Sequence, residues 1–280
     1  MLTIQSKQRV KRLIASAFGL FGTSYTQNLS VILNYHSIHP SHAYSTSPAD
    51  FLEQMQYVKT NFTVMSLSEL YEMRSRKARL PARAAVITFD DGFKDNYEYA
   101  YPILKELGLS ATIFLTTGFV NGDIDITKKW EDYCGLGHLD WHQVKEMSEN
   151  GIYFGAHTHS HPVLTGIALS EAEWEIVQSK QILEEKLGES PKHFAYPFGQ
   201  QNTYNSSIIE ILKKHGFELA CSTNWGTRND DTDIFALPRV RIDSCDSLVD
   251  FIAKINGHWN FINLFQMAKS IKVFNKQPQI

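Results

Sequence analysis

From residue 31 onward the chain alternates between short, almost unbroken apolar runs and longer stretches whose apolar positions recur every three or four residues. The short runs cover 31–36, 85–90, 111–117, 153–158, 193–198, 218–223 and 237–242, and their length and β-rich content predict strands. The stretches between them predict helices. Ser66-Leu67-Ser68-Glu69 and Ser170-Glu171-Ala172-Glu173 have the pattern of capping boxes. Gly108, Gly151, Gly188 and Gly216 fall where a glycine follows a helix C-terminus. Pro102 interrupts a good helical pattern and predicts either a first-turn position or a kink. Apolar strands separated by helices predict a parallel sheet covered on both faces. Seven of them suit an α/β barrel, imperfectly closed; an open doubly wound sheet is the competing architecture. The unpatterned stretch 118–137 predicts a functional loop or lid.

The first 28 residues follow a different rule. Lys7, Arg9, Lys11 and Arg12 are basic, while Val10, Leu13, Ile14, Ala17, Phe18 and Phe21 recur at helical spacing. The apolar run, broken by Ser16, Gly19 and Gly22, is too short to span a bilayer. It predicts a basic amphipathic helix lying on the cytoplasmic membrane surface or packed on the domain's own flank, with a cleaved signal peptide as the third reading. The expected organisation is a helix over 1–28, one folded domain over 29–270 and a tail over 271–280. The expected location is cytoplasmic, peripheral on the inner membrane, with a secreted or periplasmic location as the alternative.

Composition narrows the function classes. With 27 basic and 30 acidic side chains, the net charge of −3 argues against a dedicated nucleic-acid binder. Three cysteines, Cys134, Cys221 and Cys245, are odd in number and lack C-x-x-C spacing, which favours a fold that needs no disulfide.

The candidate chemistry gathers at strand ends. His36 ends the first predicted strand, Asp90 and Asp91 the second, the "GAHTHSHP" segment the fourth and Pro197–Gly199 the fifth, while Arg239 and Arg241 lie on the last. In a (β/α) barrel, polar residues at these ends converge on one rim. Within "TFDDG", a single aspartate needs no more explanation than capping the next helix. Two adjacent carboxylates beside a histidine cluster offer a division of labour, one binding a metal and the other acting as base. One carboxylate oxygen and two imidazoles are a common ligand set for a catalytic divalent ion with open positions.

"TFDDG", followed by His157-Thr158-His159-Ser160-His161 and then "AYPFG", resembles the polysaccharide deacetylase (NodB-homology) family, carbohydrate esterase family 4, over roughly residues 31–245. The resemblance implies a distorted (β/α)7 barrel and metal-dependent removal of N-acetyl groups from amino sugars. It makes Asp90 the general base and Asp91, His157 and His161 the metal ligands, leaving His159 as a bystander. Zinc is the default ion, with nickel, cobalt or iron(II) as alternatives. It places Tyr196, Pro197 and Phe198 along the substrate groove, with a backbone N–H near Tyr196 for the oxyanion. The family's motif arginine is missing ahead of this segment, where Lys192, His193 and Phe194 stand. Arg239 is the candidate to orient Asp90 in its place; an ordinary surface arginine is the alternative. The Leu-x-His motif that usually carries the acid is also missing, and Tyr35-His36 looks like the arrangement of a subset with its acid histidine on the first strand. His36 is otherwise a strand-end histidine. Trp225 is either a sugar-stacking ring or a buried aromatic. The expected partner is an N-acetylated amino-sugar glycan or a lipid-linked sugar, at a membrane surface under the first reading of the N-terminus. Two other functions stay open: a deformylase or deacetylase of a small or undecaprenyl-linked sugar, and a catalytically silent carbohydrate-binding module.

Overall fold

The computed structural model describes residues 29–125, 133–263 and 266. The expectations for 1–28 and 271–280, and part of the loop 118–137, lie outside the described residues. Strands β1 (Leu29–Tyr35), β3 (Arg83–Phe89), β4 (Ala111–Leu115), β5 (Ile152–Ala156), β6 (His193–Ala195), β7 (Leu219–Trp225) and β8 (Leu237–Arg241) pair in parallel in that order. β8 then pairs with β1 and closes the ring. The seven-stranded barrel is the expected architecture; the open sheet is not formed.

Closure is uneven. β1 and β3 run together over seven residue pairs, from Leu29↔Arg83 to Tyr35↔Phe89. β5 and β6 meet only at Ala156↔Phe194. β4 reaches β3 only at Thr88 and Phe89, and a two-residue strand, β2 (Thr63–Val64), pairs with Ala84 and Ala85 on the lower part of β3. β6 stops at Ala195, short of the expected 198, since Pro197 cannot donate to a ladder and Phe198 turns to φ 61°.

The helices are α1 (Pro48–Asn61), α2 (Leu67–Ser75), α3 (Tyr101–Leu107), α4 (Thr117–Val120), α5 (Trp141–Glu149), α6 (Leu169–Leu187), α7 (Ser206–Lys214) and α8 (Leu248–Ile255). The Ser66/Glu69 capping box forms as expected. The Ser170/Glu173 box does not: α6 starts two residues earlier, with Ala168 as N-cap, so Ser170 lies inside the first turn. Pro102 sits in the first turn of α3, behind a π-helical turn at Asn96–Ala100. α4 is a single turn inside the stretch expected to be loop.

Strand alternation builds the site. Ile32, Ala84, Val86 and Leu237 belong to one buried cluster with Phe114, Ala195, Leu219 and Cys221, while Val31, Leu33, Ala85, Ile87 and Val240 belong to the larger cluster that packs the helices. Successive side chains of a strand face opposite ways, so Asn34, Thr88 and Arg239 continue the first set toward the strand C-terminal ends. The interior is apolar below and polar above.

Candidate active site

Asp90 and Asp91 leave β3 at that polar end. Arg239, fully buried on β8, donates from its two terminal nitrogens to both oxygens of Asp90 at 2.7 and 2.6 Å, to the Thr88 hydroxyl at 3.2 Å, and from Nε to the Ser222 carbonyl at 2.8 Å. Asn34 adds a bond to Asp90 Oδ2 at 2.8 Å. Burial alone would raise the Asp90 carboxyl, but the Arg239 guanidinium outweighs it and holds the group well below the usual carboxylate range.

Asp91 points elsewhere. Its Oδ1 is buried and takes no hydrogen bond, and lies 3.6 Å from His157 Nε2 and 3.4 Å from His161 Nε2. Burial first, and then the neighbouring Asp90, push the Asp91 carboxyl up; burial pushes both imidazoles down. The ring of His157 is fixed through Nδ1, which donates to the Ala195 carbonyl at 2.7 Å and leaves Nε2 as the lone-pair nitrogen. A buried carboxylate oxygen without a donor, facing two neutral imidazoles, is costly by itself and suits a cation. Ligands held at about 2.1 Å in a roughly tetrahedral arrangement stand about 3.4 Å apart. Asp91, His157 and His161 therefore fit a divalent ion, and they are the one such buried group among the described residues.

The turn carrying the two histidines is strained and tied down. Thr158 and His161 have φ of 65° and 57°, and Asp91 and Phe198 reach 74° and 61°; Lys77 is the one other non-glycine residue with positive φ among those described. Such backbone persists where its surroundings over-determine it. Here Glu175 of α6, buried, accepts the His159 N–H at 2.9 Å, the Ser160 N–H at 2.7 Å and the Ser160 hydroxyl. The His161 N–H donates to Thr158 Oγ1 at 3.0 Å. His159 faces away from Asp91: its Nδ1 meets the Thr117 hydroxyl at 3.1 Å and its ring abuts Trp174.

A cavity of about 520 Å³ opens over these groups, within the usual size of a small-molecule site. Its wall includes His36, Asp90, Asp91, His157, His161 and Phe198. His36 follows β1, half-buried, with its carbonyl held by Asn96 Nδ2 at 2.8 Å. Burial pushes its imidazole down to about 4, opposed by Asp90 and aided by Arg241 and Arg239. Phe198 lies edge-on to His161, with ring centroids 4.9 Å apart. Trp225 reaches the cavity although only 5% exposed, and its Nε1 donates to Asn260 Oδ1 at 3.2 Å.

Two expectations for the "AYPFG" segment need correction. The Tyr196 ring is buried, stacks on Tyr204 at 4.0 Å and donates its hydroxyl to the Phe235 carbonyl, so it faces the core; Pro197 is buried beside it and is not part of the cavity wall. The Tyr196 N–H itself donates to the Cys221 carbonyl at 3.1 Å, so an oxyanion donor in this segment would be another backbone N–H near it. Asn34, Glu175, Asp243, Lys254 and Trp259 were not anticipated. The signal for Asn34 was present: it is the single amide in the apolar run "VILNYH", two positions before His36.

A closed parallel barrel with a carboxylate pair and two histidines at its upper rim defines a hydrolase-type site. The family model for polysaccharide deacetylase matches residues 77–220, and the chain belongs to that family. Bacillus subtilis YxkH, which carries a polysaccharide deacetylase name, is 29% identical over 212 residues, covering 75% of this chain and 70% of its own. The poly-β-1,6-N-acetyl-D-glucosamine N-deacetylase of Staphylococcus aureus is 26% identical over 258 residues, covering 83% and 85%. The solved Streptococcus pyogenes deacetylase PplD, in complex with acetate, superposes with a TM-score of 0.70 at 27% identity, over 82% of this chain and 99% of that one.

Proposed function

We propose that the protein is a metal-dependent hydrolase that removes an N-acetyl or related acyl group from an amino sugar of a cell-surface polysaccharide. The observation that carries this reading is the buried Asp91–His157–His161 group beside a separately anchored Asp90. The Staphylococcus relative, named for poly-N-acetylglucosamine, and the Streptococcus deacetylase with its acetate support the substrate class.

Asp91, His157 and His161 hold the ion. Zinc suits this donor set, as do nickel, cobalt and iron(II), and a bound divalent ion supplies Lewis-acid activation of water and of the acyl carbonyl. Asp90 takes the proton of the attacking water; Arg239 and Asn34 fix where its oxygens point. His36 protonates the departing amine. Neutral at rest, it takes up the proton that Asp90 removes from the water once a negatively charged tetrahedral species occupies the cavity, and passes that proton to the amine.

The test is acetate release from N-acetylglucosamine oligomers. Asp90→Asn should lower turnover by roughly 100- to 10,000-fold with metal content unchanged. A fully active D90N variant removes Asp90 as the base.

A further inference from the structure

The cavity has another wall that the chemistry above does not use. Lys254 of α8 is fully buried, yet its Nζ donates to the Arg241 carbonyl at 3.2 Å, to Asp243 Oδ2 at 2.9 Å and to Asp246 Oδ2. The ammonium also lies 5.1 Å from the ring centre of Trp259 and 5.8 Å from that of Trp225. Arg241 Nε meets Asp243 Oδ1 at 2.9 Å. Asp243, Arg241, Lys254 and both tryptophans line the same cavity as Asp90 and Asp91. Burying a lysine is costly until its partners offset it, so a charged knot at a cavity wall is a functional candidate.

The knot fixes a carboxylate. Each Asp243 oxygen has its own cation, and the Asp243 side chain is 29% exposed where the lysine is not exposed at all. Two cations, Arg241 and Lys254, balance two carboxylates, Asp243 and Asp246, so the wall carries no net charge. It therefore suits an uncharged polyol better than a phosphorylated or acidic sugar. A fixed carboxylate forms charge-assisted bonds with hydroxyl donors.

We propose that Asp243 is the specificity residue of a sugar subsite, accepting hydrogen bonds from ring hydroxyls of a neutral pyranose whose acylamino group lies at the Asp90–Asp91 end of the cavity. This rests on the proposed deacetylase reading. Asp243 sets the register of the ring relative to the carboxylate pair; it takes no part in proton transfer.

The metal-loaded full chain and its D243A and D243N variants are assayed on an N-acetylglucosamine oligomer and on 4-nitrophenyl acetate, which has the same acyl group but no ring hydroxyls. In both variants KM for the oligomer should rise at least tenfold with kcat changed less than threefold. The ratio of oligomer to ester kcat/KM should fall at least tenfold. Lys254 keeps Asp246 and the Arg241 carbonyl; should D243A fail to fold, the near-isosteric D243N carries the test. Equal losses on both substrates, or an unchanged ratio, overturn the subsite. A wild-type protein that cleaves the ester but no amino sugar overturns the function reading and the subsite with it.

Discussion

Arg239 grips Asp90 through two parallel hydrogen bonds of 2.7 and 2.6 Å from β8, two strands round the barrel from β3 and 149 residues along the chain. The pair is buried on both sides, so its charges depend on each other. Removing one partner of such a pair leaves an uncompensated charge and typically costs about 3–5 kcal/mol. R239M should lose stability on that scale in denaturant unfolding. R239K should retain less than half of the difference, because an ammonium cannot make the forked contact. An R239M variant as stable as wild type contradicts the interdependence.

Asp90 also sets an acid limit. Its folded pKa is depressed, so the unfolded state binds more protons below the ordinary carboxylate range. The stability it contributes is present above about pH 4 and is lost as pH falls further. R239M should flatten this limb of the stability–pH curve, measured by thermal melts from pH 5 downward.

A second pH effect has the same sign and a different window. Burial pushes both His36 and His193 down to about 4. Each is neutral when folded and takes a proton on unfolding between pH 6.5 and 4, so stability is complete above 6.5 and falls toward 4. Each such group contributes at most about 1.4 kcal/mol per pH unit, and H193Q should lower the slope by about that amount. Urea titrations of metal-free protein at half-unit pH steps measure this directly.

The three histidines of "GAHTHSHP" should separate cleanly. H157A and H161A each delete one of three ligands and should lose bound metal on dialysis, by elemental analysis. H159A should keep full stoichiometry, since that ring bonds Thr117 and abuts Trp174.

Glu175 touches neither ligand side chain but fastens the turn between them. E175Q loses an acceptor oxygen for that turn. Metal affinity should fall about 10- to 100-fold, the usual cost of removing an outer partner of a ligand. S160A, which removes one of the three bonds, should cost less. Chelator competition measures both, and an E175Q affinity equal to wild type contradicts the assignment.

The barrel was legible because its strands are long apolar runs, and the rim because polar residues recur at their ends. Thr63–Val64 was not, since two residues give no period. The contacts that complete the site were hidden for another reason. Asn34 meets Asp90 across 56 residues and Glu175 meets Ser160 across 15, and both contacts exist only once the barrel has closed and α6 has packed on it. The "AYPFG" motif was placed correctly, but its tyrosine was given a groove role. A two-residue period from the inward Ala195 sends Tyr196 outward, toward Tyr204. The Ser170 capping pattern failed because the helix already begins at Leu169, which leaves Ser170 inside its first turn with no open end to cap.

The central claim is that Asp91, His157 and His161 hold a catalytic divalent ion. The most direct test strips the purified protein with a chelator, confirms the loss by elemental analysis, and follows acetate release from an N-acetylglucosamine oligomer before and after adding one equivalent of zinc or cobalt. The account predicts that activity disappears with the metal, returns at one equivalent in wild type, and does not return in H161A. Undiminished acetate release from metal-free protein would contradict it.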